Sequence, residues 1–163
     1  MSKIKDLLRS KDSVFVFDVD GVLALFEFGE YRHYELTDEE WAIANDEGKN
    51  FYTKSLVSPK MQKFIETKNK KNVYCITAIY NDAEVQNKIE FLKHYYNIPK
   101  SHIFFVEDST QKVDALFSIK EKYPDLEDWK VVMVEDTVDN LNLIMEKTPF
   151  STVHISSFLD LEL

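Results

Sequence analysis

Short apolar runs alternate with amphipathic stretches along most of this chain. The runs are four or five residues long and rich in Val, Ile and Phe, a pattern typical of the buried strands of parallel sheets. They lie at Val14–Asp18, Val73–Thr77, Ile103–Val106, Val131–Glu135 and Thr152–Ile155. Because helical patterns separate these runs, the sequence predicts a three-layer α/β fold, with a doubly wound, Rossmann-like sheet of five parallel strands between helices.

Each of the four helices predicted between the strands has its own start signal. The residues that favour helix N-termini are Ser58 followed by Pro59, Asp82, Ser109 or Thr110, and Thr137. In the second of these helices, apolar residues recur at spacings of four, three and four, at Val85, Ile89, Leu92 and Tyr96. Sheets of this kind bind ligands at the carboxyl ends of their strands, so a functional site is expected there.

A long connection, residues 22–57, separates the first strand from the first of these helices. Within it, Phe26–Tyr31 suits a small hairpin, and Thr37-Asp38-Glu39-Glu40 is a capping box that predicts a short helix ending at Gly48. Connections of this length are usually functional and often form lids. Its aromatic residues either line a substrate or, more commonly, pin the segment to the domain; they are Phe26, Phe28, Tyr31, Tyr34 and Trp41.

Composition and charge narrow the class of protein. The chain has 163 residues, of which 44% are hydrophobic, and only three are glycine, so we expect a single globular domain over residues 1–163. Its net charge of −9 argues against a general nucleic-acid or anionic-membrane surface, but is compatible with a small phosphorylated substrate held by a local cation. No signal peptide or membrane span is recognisable in the sequence, so a cytoplasmic location is expected.

Acidic residues follow two of the predicted strands at the edge where ligands are expected. Asp18 and Asp20 come at the end of the first strand, with Gly21 allowing a sharp turn, and Glu135 and Asp136 end the fourth. Carboxylate oxygens from two strands are ligands that suit Mg²⁺. A bound Mg²⁺ would also offset the repulsion between these carboxylates, which otherwise cost free energy to bring together.

The same edge carries the other groups that phosphoryl transfer needs. A carboxylate beside the metal can attack phosphorus, and a second carboxylate can exchange a proton with the leaving oxygen. The hydroxyl of Thr77 and backbone N–H groups near Ala78 can hold phosphoryl oxygens, and Lys112 can neutralise charge. Each residue alone has an ordinary explanation as a turn, strand-end or helix-capping residue. The ordered combination favours phosphoryl transfer.

These residues resemble the four motifs of the haloacid dehalogenase (HAD) superfamily of phosphatases and phosphotransferases. The first motif, hydrophobic-Asp-x-Asp-Gly-x-Thr/Val, is matched by Phe17–Val22, and the second, a strand ending in Thr or Ser, by Tyr74–Ala78. The third, a lysine on a helix, is best matched by Lys112, and the fourth, a strand ending in acids, by Val132–Asp136. The resemblance covers residues 14 to 155 or so.

The resemblance implies a role for each acidic residue. Asp18 would be the nucleophile that becomes aspartyl-phosphate, Asp20 the general acid/base that also gives its backbone carbonyl to Mg²⁺, and Asp136 the second carboxylate ligand. Many members carry Gly-Asp or Asp-Asp at the fourth motif, so either Glu135 or Asp139 is left as a supporting acid. Residues 22–57 would be the family's flap with at most a rudimentary cap. A site with so little cap is open, and an open site suits a bulky substrate or a cap supplied by another subunit.

The expected function is therefore Mg²⁺-dependent hydrolysis of phosphate monoesters through aspartyl-phosphate, with a nucleotide or sugar phosphate as a plausible substrate. A nucleic-acid-end phosphatase is an alternative that suits an open site but not the negative charge. A non-enzymatic receiver domain is another; it would be phosphorylated after its third strand, here at Asp108. The last is a HAD-fold binding protein without catalysis.

Overall fold

Five parallel strands form the central sheet of the protein. In the computed structural model, which describes residues 3–25 and 36–162, the seven strands are β1 Val14–Phe17, β2 Ala24–Leu25, β3 Leu56–Val57, β4 Val73–Ala78, β5 Ile103–Val106, β6 Val131–Glu135 and β7 Ser151–His154. The helices are α1 Lys3–Arg9, α2 Asp38–Asp46, α3 Pro59–Glu66, α4 Asp82–Tyr96, α5 Gln111–Lys120 and α6 Val138–Lys147. The strands β2 and β3 form a separate antiparallel pair.

The central sheet has the strand order β5-β4-β1-β6-β7, with β1 in the middle. Every neighbouring pair is parallel, and Phe15 of β1 is in register with Val73 of β4 and Val132 of β6. All five strands therefore end at the same edge, and the predicted α/β, Rossmann-like fold class is confirmed.

Alternate residues of β1 contribute to two hydrophobic cores, one on each face of the sheet. Phe15 and Phe17 belong to the core that also contains apolar residues of α1, α3 and α4. Val14 and Val16 belong to the core that contains those of α5 and α6. Because successive side chains of a strand point to opposite faces, a continuous apolar run is what a strand between two helical layers requires.

The predicted helices are present, with some differences in how their first turns are capped. Ser58 caps α3 as expected, whereas α4 is capped by Asn81 rather than Asp82, because the Asn81 side chain accepts a hydrogen bond from Glu84 N. For α5, the sequence left Ser109 and Thr110 as candidate caps. Thr110 occupies the N-cap position but makes no side-chain capping bond, and the carboxylate of Asp108 accepts from the N–H groups of Thr110 and Gln111 instead. Charge and hydrogen bonding near each terminus decide which polar residue caps it.

The long connection leaves and rejoins the body of the protein through the β2–β3 pair. Its predicted capping box is present, since Thr37 and Glu40 each bond the other's backbone N–H at the start of α2. Gly48 follows that helix with a φ of +72°. The predicted hairpin at Phe26–Tyr31, like Tyr34, lies outside the described residues.

The helix α1 was not expected from the sequence, and a buried lysine fixes its carboxyl end. The Nζ of Lys68 donates hydrogen bonds to the carbonyls of Leu8 (2.5 Å) and Ser10 (3.0 Å). The ammonium also lies over the rings of Phe15 and Phe64, at 4.9 and 4.5 Å from their centroids. These contacts satisfy carbonyls that the helix leaves without internal partners.

Across the described ranges, no helix has both the length and the apolar character needed to cross a membrane.

Candidate active site

A tight backbone turn holds the residues that follow β1. The N–H of Asp18 bonds to the carbonyl of Val134 at 2.9 Å, so this residue is still tied to the sheet. Beyond it, the carbonyl of Val19 accepts hydrogen bonds from Leu23 N (2.9 Å) and Ala24 N (2.8 Å). The side chains just after β1 are therefore fixed to the sheet edge by main-chain bonds.

Gly21 lets this turn pass against an acid from β6. Its φ is +76°, and a Cβ atom placed here would lie 2.0 Å from Oδ2 of Asp136. Any other residue would strain the backbone and also displace the Asp136 carboxylate. The glycine of the sequence motif thus serves both the turn and the packing of a neighbouring acid.

Asp18 is buried at the end of the central strand, with a lysine beside it. The Nζ of Lys112, from the first turn of α5, lies 3.3 Å from Oδ2 of Asp18 and 2.7 Å from Oε2 of Glu135. Burial raises the pKa of Asp18, Lys112 opposes the rise, and Glu135 and Asp20 add to it, giving a pKa of about 7. For Lys112 itself, burial acts to lower the pKa, but the two carboxylates outweigh it and the pKa is raised.

Three carboxylates at the ends of β1 and β6 lie close enough to share a metal ion. Oxygen atoms of Asp18, Glu135 and Asp136 are all within 4.8 Å of one another. Among the described residues, the side chain of Asp20 is not part of this group, and neither is that of Asp139, which is exposed in the first turn of α6. Of the two supporting acids considered from the sequence, the fold brings Glu135 into the cluster.

The geometry of this carboxylate cluster is fixed by buried hydrogen bonds. Glu135 is fully buried; its Oε2 accepts from Lys112, and its Oε1 accepts from the N–H groups of Asp136 (3.2 Å) and Thr137 (3.4 Å). The Nε2 of His154, at the end of β7, lies 2.9 Å from the carbonyl of Asp136 and donates to it, since a carbonyl only accepts. Side chains of three elements therefore hold the turn that presents Asp136.

Asp20 is bound by a second buried lysine, on the other helical layer. The Nζ of Lys88, from α4, lies 2.8 Å from Oδ2 of Asp20 and 3.0 Å from Oε1 of Glu84. The hydroxyl of Tyr52 lies 2.8 Å from Oδ1 of Asp20 and 3.2 Å from Oε1 of Glu84. Asp20 therefore contacts the buried pair Lys88–Glu84, just as Asp18 contacts the buried pair Lys112–Glu135.

Thr77 lies at the end of β4 as expected, but it is fully buried. Its Oγ1 accepts a hydrogen bond from Lys88 Nζ at 2.9 Å and donates to the carbonyl of Ala78 at 3.3 Å. Ala78 itself lines the cleft described below. The hydroxyl of Thr77 is thus engaged within the protein, and its contact with a phosphoryl group stays a prediction.

A cleft of about 520 Å³ opens at this edge of the sheet. Its lining includes the predicted site residues Asp18, Asp20, Ala78, Lys112 and Asp136 together with Leu36, Asp38 and Trp41 from the α2 region. Trp41 also stacks on Phe51, with ring centroids 4.5 Å apart, so this aromatic residue both borders the cleft and anchors α2. The hydroxyl of Tyr80, another lining residue, bonds to Asp46 at 3.3 Å and ties the end of α2 to the loop before α4.

Sequence reasoning missed Lys88, Glu84 and Tyr52. The first two are four residues apart on α4 and in line with buried Phe91 and Leu92, so the charged pair continues the buried face of the helix. An ion pair placed in line with an apolar stripe was a usable signal. The position of Tyr52 depends on how the long connection returns to the sheet, which no local pattern reveals.

The topology argues against the receiver-domain alternative. Numbered along the chain, the parallel strands here have the order 3-2-1-4-5, whereas flavodoxin-like receiver domains have the order 2-1-3-4-5. In addition, Asp108 follows an edge strand, and its carboxylate is engaged with the N–H groups of Thr110 and Gln111. The residue that a receiver would phosphorylate therefore serves as a helix cap.

The fold and its acidic edge define an α/β protein of Rossmann-like architecture with a carboxylate cluster at the carboxyl ends of β1 and β6. No protein-family model and no curated protein sequence matches this chain. Among solved structures, it is similar to part of DsGPDH of Dunaliella salina, with 17% identity and a TM-score of 0.54 over 92% of this chain, and it spans 24% of that protein. This likeness shows a shared fold and nothing about activity.

The chain is also similar to the HAD domain of the effector protein Lem4 from Legionella pneumophila. The identity is 14% and the TM-score 0.44, with 87% of this chain and 84% of that domain covered. A likeness this weak carries no argument about function.

Proposed function

We propose that this protein is a Mg²⁺-dependent phosphohydrolase that cleaves phosphate monoesters through an aspartyl-phosphate on Asp18. The observation that carries the proposal is the placement of Asp18: a buried carboxylate on a cleft, 3.3 Å from the lysine Lys112 and within 4.8 Å of two further acids. A nucleophile, a cation and a candidate metal site thus coincide at one strand end. The resemblance of the four sequence motifs to those of the HAD superfamily supports the same conclusion.

The residues present fit a magnesium ion. Asp18 and Asp136 line the cleft and offer carboxylate oxygens, the donors that Mg²⁺ prefers, and Gly21, which has no side chain, leaves room for the Asp136 carboxylate. Glu135 lies beside them as a supporting acid, because its own oxygens accept from Lys112 and two backbone N–H groups. The resemblance to the HAD superfamily implies that the backbone carbonyl of Asp20 would be a further ligand. When bound, Mg²⁺ would supply positive charge that offsets the crowded carboxylates and the phosphate.

The remaining chemistry is assigned to side chains of the chain itself. A carboxylate oxygen of Asp18 attacks phosphorus, the bond from phosphorus to the ester oxygen breaks, and Asp20 gives that oxygen its proton, releasing the alcohol. Water then attacks phosphorus, Asp20 takes the proton back, and the bond from phosphorus to Asp18 breaks to release inorganic phosphate. Lys112 offsets negative charge around Asp18 during both steps.

The size and lining of the cleft favour a small substrate. A volume of about 520 Å³ is within the range for small-molecule sites. A nucleotide or a sugar phosphate fits this description, and Trp41 offers an aromatic surface at the border of the cleft. A nucleic-acid end is the less favoured substrate, because the net charge is −9 and the cleft contains several acids.

The other expectations from the sequence stay predictions: a cytoplasmic location, a single domain over residues 1–163, and no membrane partner. The same holds for the cap that another subunit would supply.

The proposal is tested by assaying phosphate release from a panel of phosphate monoesters with and without Mg²⁺. Wild-type protein is expected to show Mg²⁺-dependent turnover, and Asp18→Asn to lose it while keeping the wild-type circular dichroism spectrum. Equal turnover by the two proteins would remove Asp18 from the role of nucleophile. No turnover by the wild type on any ester would favour a binding protein without catalysis.

A further inference from the structure

We infer that Lys88, Glu84 and Tyr52 form a positioning set for Asp20, holding its carboxylate in the orientation from which it exchanges a proton with the leaving group. The inference rests on the proposed function, because that function gives Asp20 its role. It goes beyond it by assigning a task to three residues outside the four sequence motifs.

Each carboxylate oxygen of Asp20 has its own donor. Oδ2 accepts from Lys88 at 2.8 Å, and Oδ1 accepts from the Tyr52 hydroxyl at 2.8 Å. The torsion that rotates an aspartate carboxylate is otherwise broad, so two donors on different oxygens restrict it. The side chain of Asp20 keeps 32% of its surface exposed on the cleft, so it is oriented without being closed off.

The donors are themselves held rigidly. Lys88 is fully buried, and its Nζ also contacts Thr77 Oγ1 (2.9 Å), the Ala78 carbonyl (2.5 Å) and Glu84 Oε1 (3.0 Å). An ammonium has three N–H groups, so these acceptors and Asp20 use all of them and hold Nζ between the helix and the sheet edge. Such an arrangement holds a group more precisely than a solvated lysine would.

Glu84 completes the set from within the same helix. It is 2% exposed, its Oε1 contacts Lys88 and Tyr52, and its Oε2 accepts from the N–H of Tyr80 at 2.7 Å. The last bond anchors the carboxylate to the backbone of the loop that precedes α4. Glu84 therefore holds Lys88 in place, and it shares with Asp20 the single hydroxyl proton of Tyr52, whose oxygen lies nearer to Asp20 (2.8 Å) than to Glu84 (3.2 Å).

Folding alone does not account for this buried polar cluster. Burying a lysine and a glutamate carries a desolvation cost, and apolar residues of similar size are often as stable or more stable in such positions. The cluster also joins three separate parts of the chain: the turn after β1, the returning end of the long connection at Tyr52, and α4. All three meet at the candidate proton-transfer residue, which favours a role at the active site.

The test compares two tyrosine variants that remove one hydroxyl each. Tyr52→Phe removes a donor to Asp20, whereas Tyr96→Phe removes a hydroxyl that bonds to the Leu23 carbonyl at 2.6 Å. Both rings are buried and pack against Phe91, so the packing change is matched. The assay measures kcat/KM with Mg²⁺ for p-nitrophenyl phosphate and for phenyl phosphate, which are similar in shape but differ in how strongly the departing oxygen needs a proton.

A positioning role predicts a selective effect. Tyr52→Phe should lower kcat/KM for phenyl phosphate by roughly tenfold and for p-nitrophenyl phosphate by no more than about twofold, whereas Tyr96→Phe should lower neither by more than about twofold. Lys88→Met should have a larger effect of the same selective kind. Since kcat/KM reports steps up to formation of the phosphoenzyme, the later hydrolysis of that intermediate does not mask the difference.

The possible failures are distinct. If wild-type protein turns over both esters but Tyr52→Phe changes them by the same factor, or no more than Tyr96→Phe does, the positioning role is wrong and the proposed function stands. If the wild type turns over neither ester and no other monoester, the proposed function and this inference fail together.

Discussion

The contact between Gly21 and Asp136 leads to a prediction with a built-in control. Replacing Gly21 by alanine adds a Cβ atom 2.0 Å from Oδ2 and 2.6 Å from Cγ of Asp136, at a residue whose φ is +76°. Gly48 has nearly the same backbone conformation, with a φ of +72°, but a Cβ atom there meets nothing within 4 Å. Gly48→Ala therefore reproduces the backbone strain without the clash.

The two costs can be estimated from the structure. A left-handed conformation costs a residue with a Cβ atom about 1–2 kcal/mol, and this is the whole expected loss for Gly48→Ala. Gly21→Ala carries the same strain and must also move Asp136 from its rotamer or shift the turn, which adds about 1–3 kcal/mol. We therefore expect Gly21→Ala to lower the free energy of unfolding by about 2–5 kcal/mol, against about 1–2 kcal/mol for the control.

Urea unfolding with and without Mg²⁺ separates stability from the proposed metal site. An ion that binds only the folded protein stabilises it by about 2.7 kcal/mol when present at about 100 times its dissociation constant. Wild-type protein and Gly48→Ala should both show this gain, whereas Gly21→Ala should lose most of it, because its Asp136 is displaced. Equal losses of stability in the two variants, or an undiminished Mg²⁺ effect in Gly21→Ala, would show that the close approach of Gly21 does not determine the position of Asp136.

Three more predictions concern other parts of the molecule. Lys112→Met leaves Asp18 and Glu135 buried without their cation, so it should destabilise the protein by about 3–5 kcal/mol and move the acid limb of the pH–rate profile to higher pH, because Lys112 lowers the pKa of Asp18. The control is Lys120→Met on the same helix, whose ammonium lies 3.6 Å from exposed Asp128 and donates to the carbonyls of Tyr123 and Pro124; it should destabilise the protein by less than Lys112→Met does and leave the pH–rate profile in place. Without metal, burial raises the pKa of Asp18 from 3.8 to about 7, so between these pH values the folded protein binds a proton that the unfolded chain has lost, and the free energy of unfolding should fall as the pH rises. Asp18→Asn should make the free energy of unfolding depend less on pH in this range, and an unchanged pH dependence would contradict the burial of this carboxyl. Lys68→Met removes two hydrogen bonds at the end of α1, so it should lower the free energy of unfolding in urea by about 1–3 kcal/mol and speed amide exchange in α1 alone. Faster amide exchange throughout the protein would argue against a local anchor.

The fold could be predicted from the sequence because strand burial leaves a strong local signal. The runs at Ile103–Val106 and Val131–Glu135 match the observed strands residue for residue, since a strand covered on both faces must be apolar throughout. The order of the strands, with β1 in the middle, could not be predicted, because no local pattern identifies which strand is central.

The sequence predicts the site residues that follow directly after strands, but not those that other elements bring to the site. Asp18 and Asp136 are placed at the sheet edge by the strands that precede them, so their approach follows from topology. Lys88 was missed because the buried face of α4 was assigned from apolar residues alone, which placed Val85 and Ile89 inward; both are only half-buried, and the charged pair takes the inward positions. Side-chain partners across the sheet edge depend on distances between elements, which sequence spacing does not encode.

If Asp18 carries the phosphoryl group during turnover, the aspartyl-phosphate intermediate can be trapped. Wild-type protein and Asp20→Asn would be mixed with p-nitrophenyl phosphate and Mg²⁺, quenched in acid, digested with pepsin and examined by mass spectrometry. We expect a phosphate group on Asp18, with more of it accumulating in Asp20→Asn, because that variant lacks the carboxylate that activates water for the second step. Phosphate on Asp108 instead, or turnover by the wild type with no phosphate on the peptide that contains Asp18, would show that Asp18 is not the nucleophile.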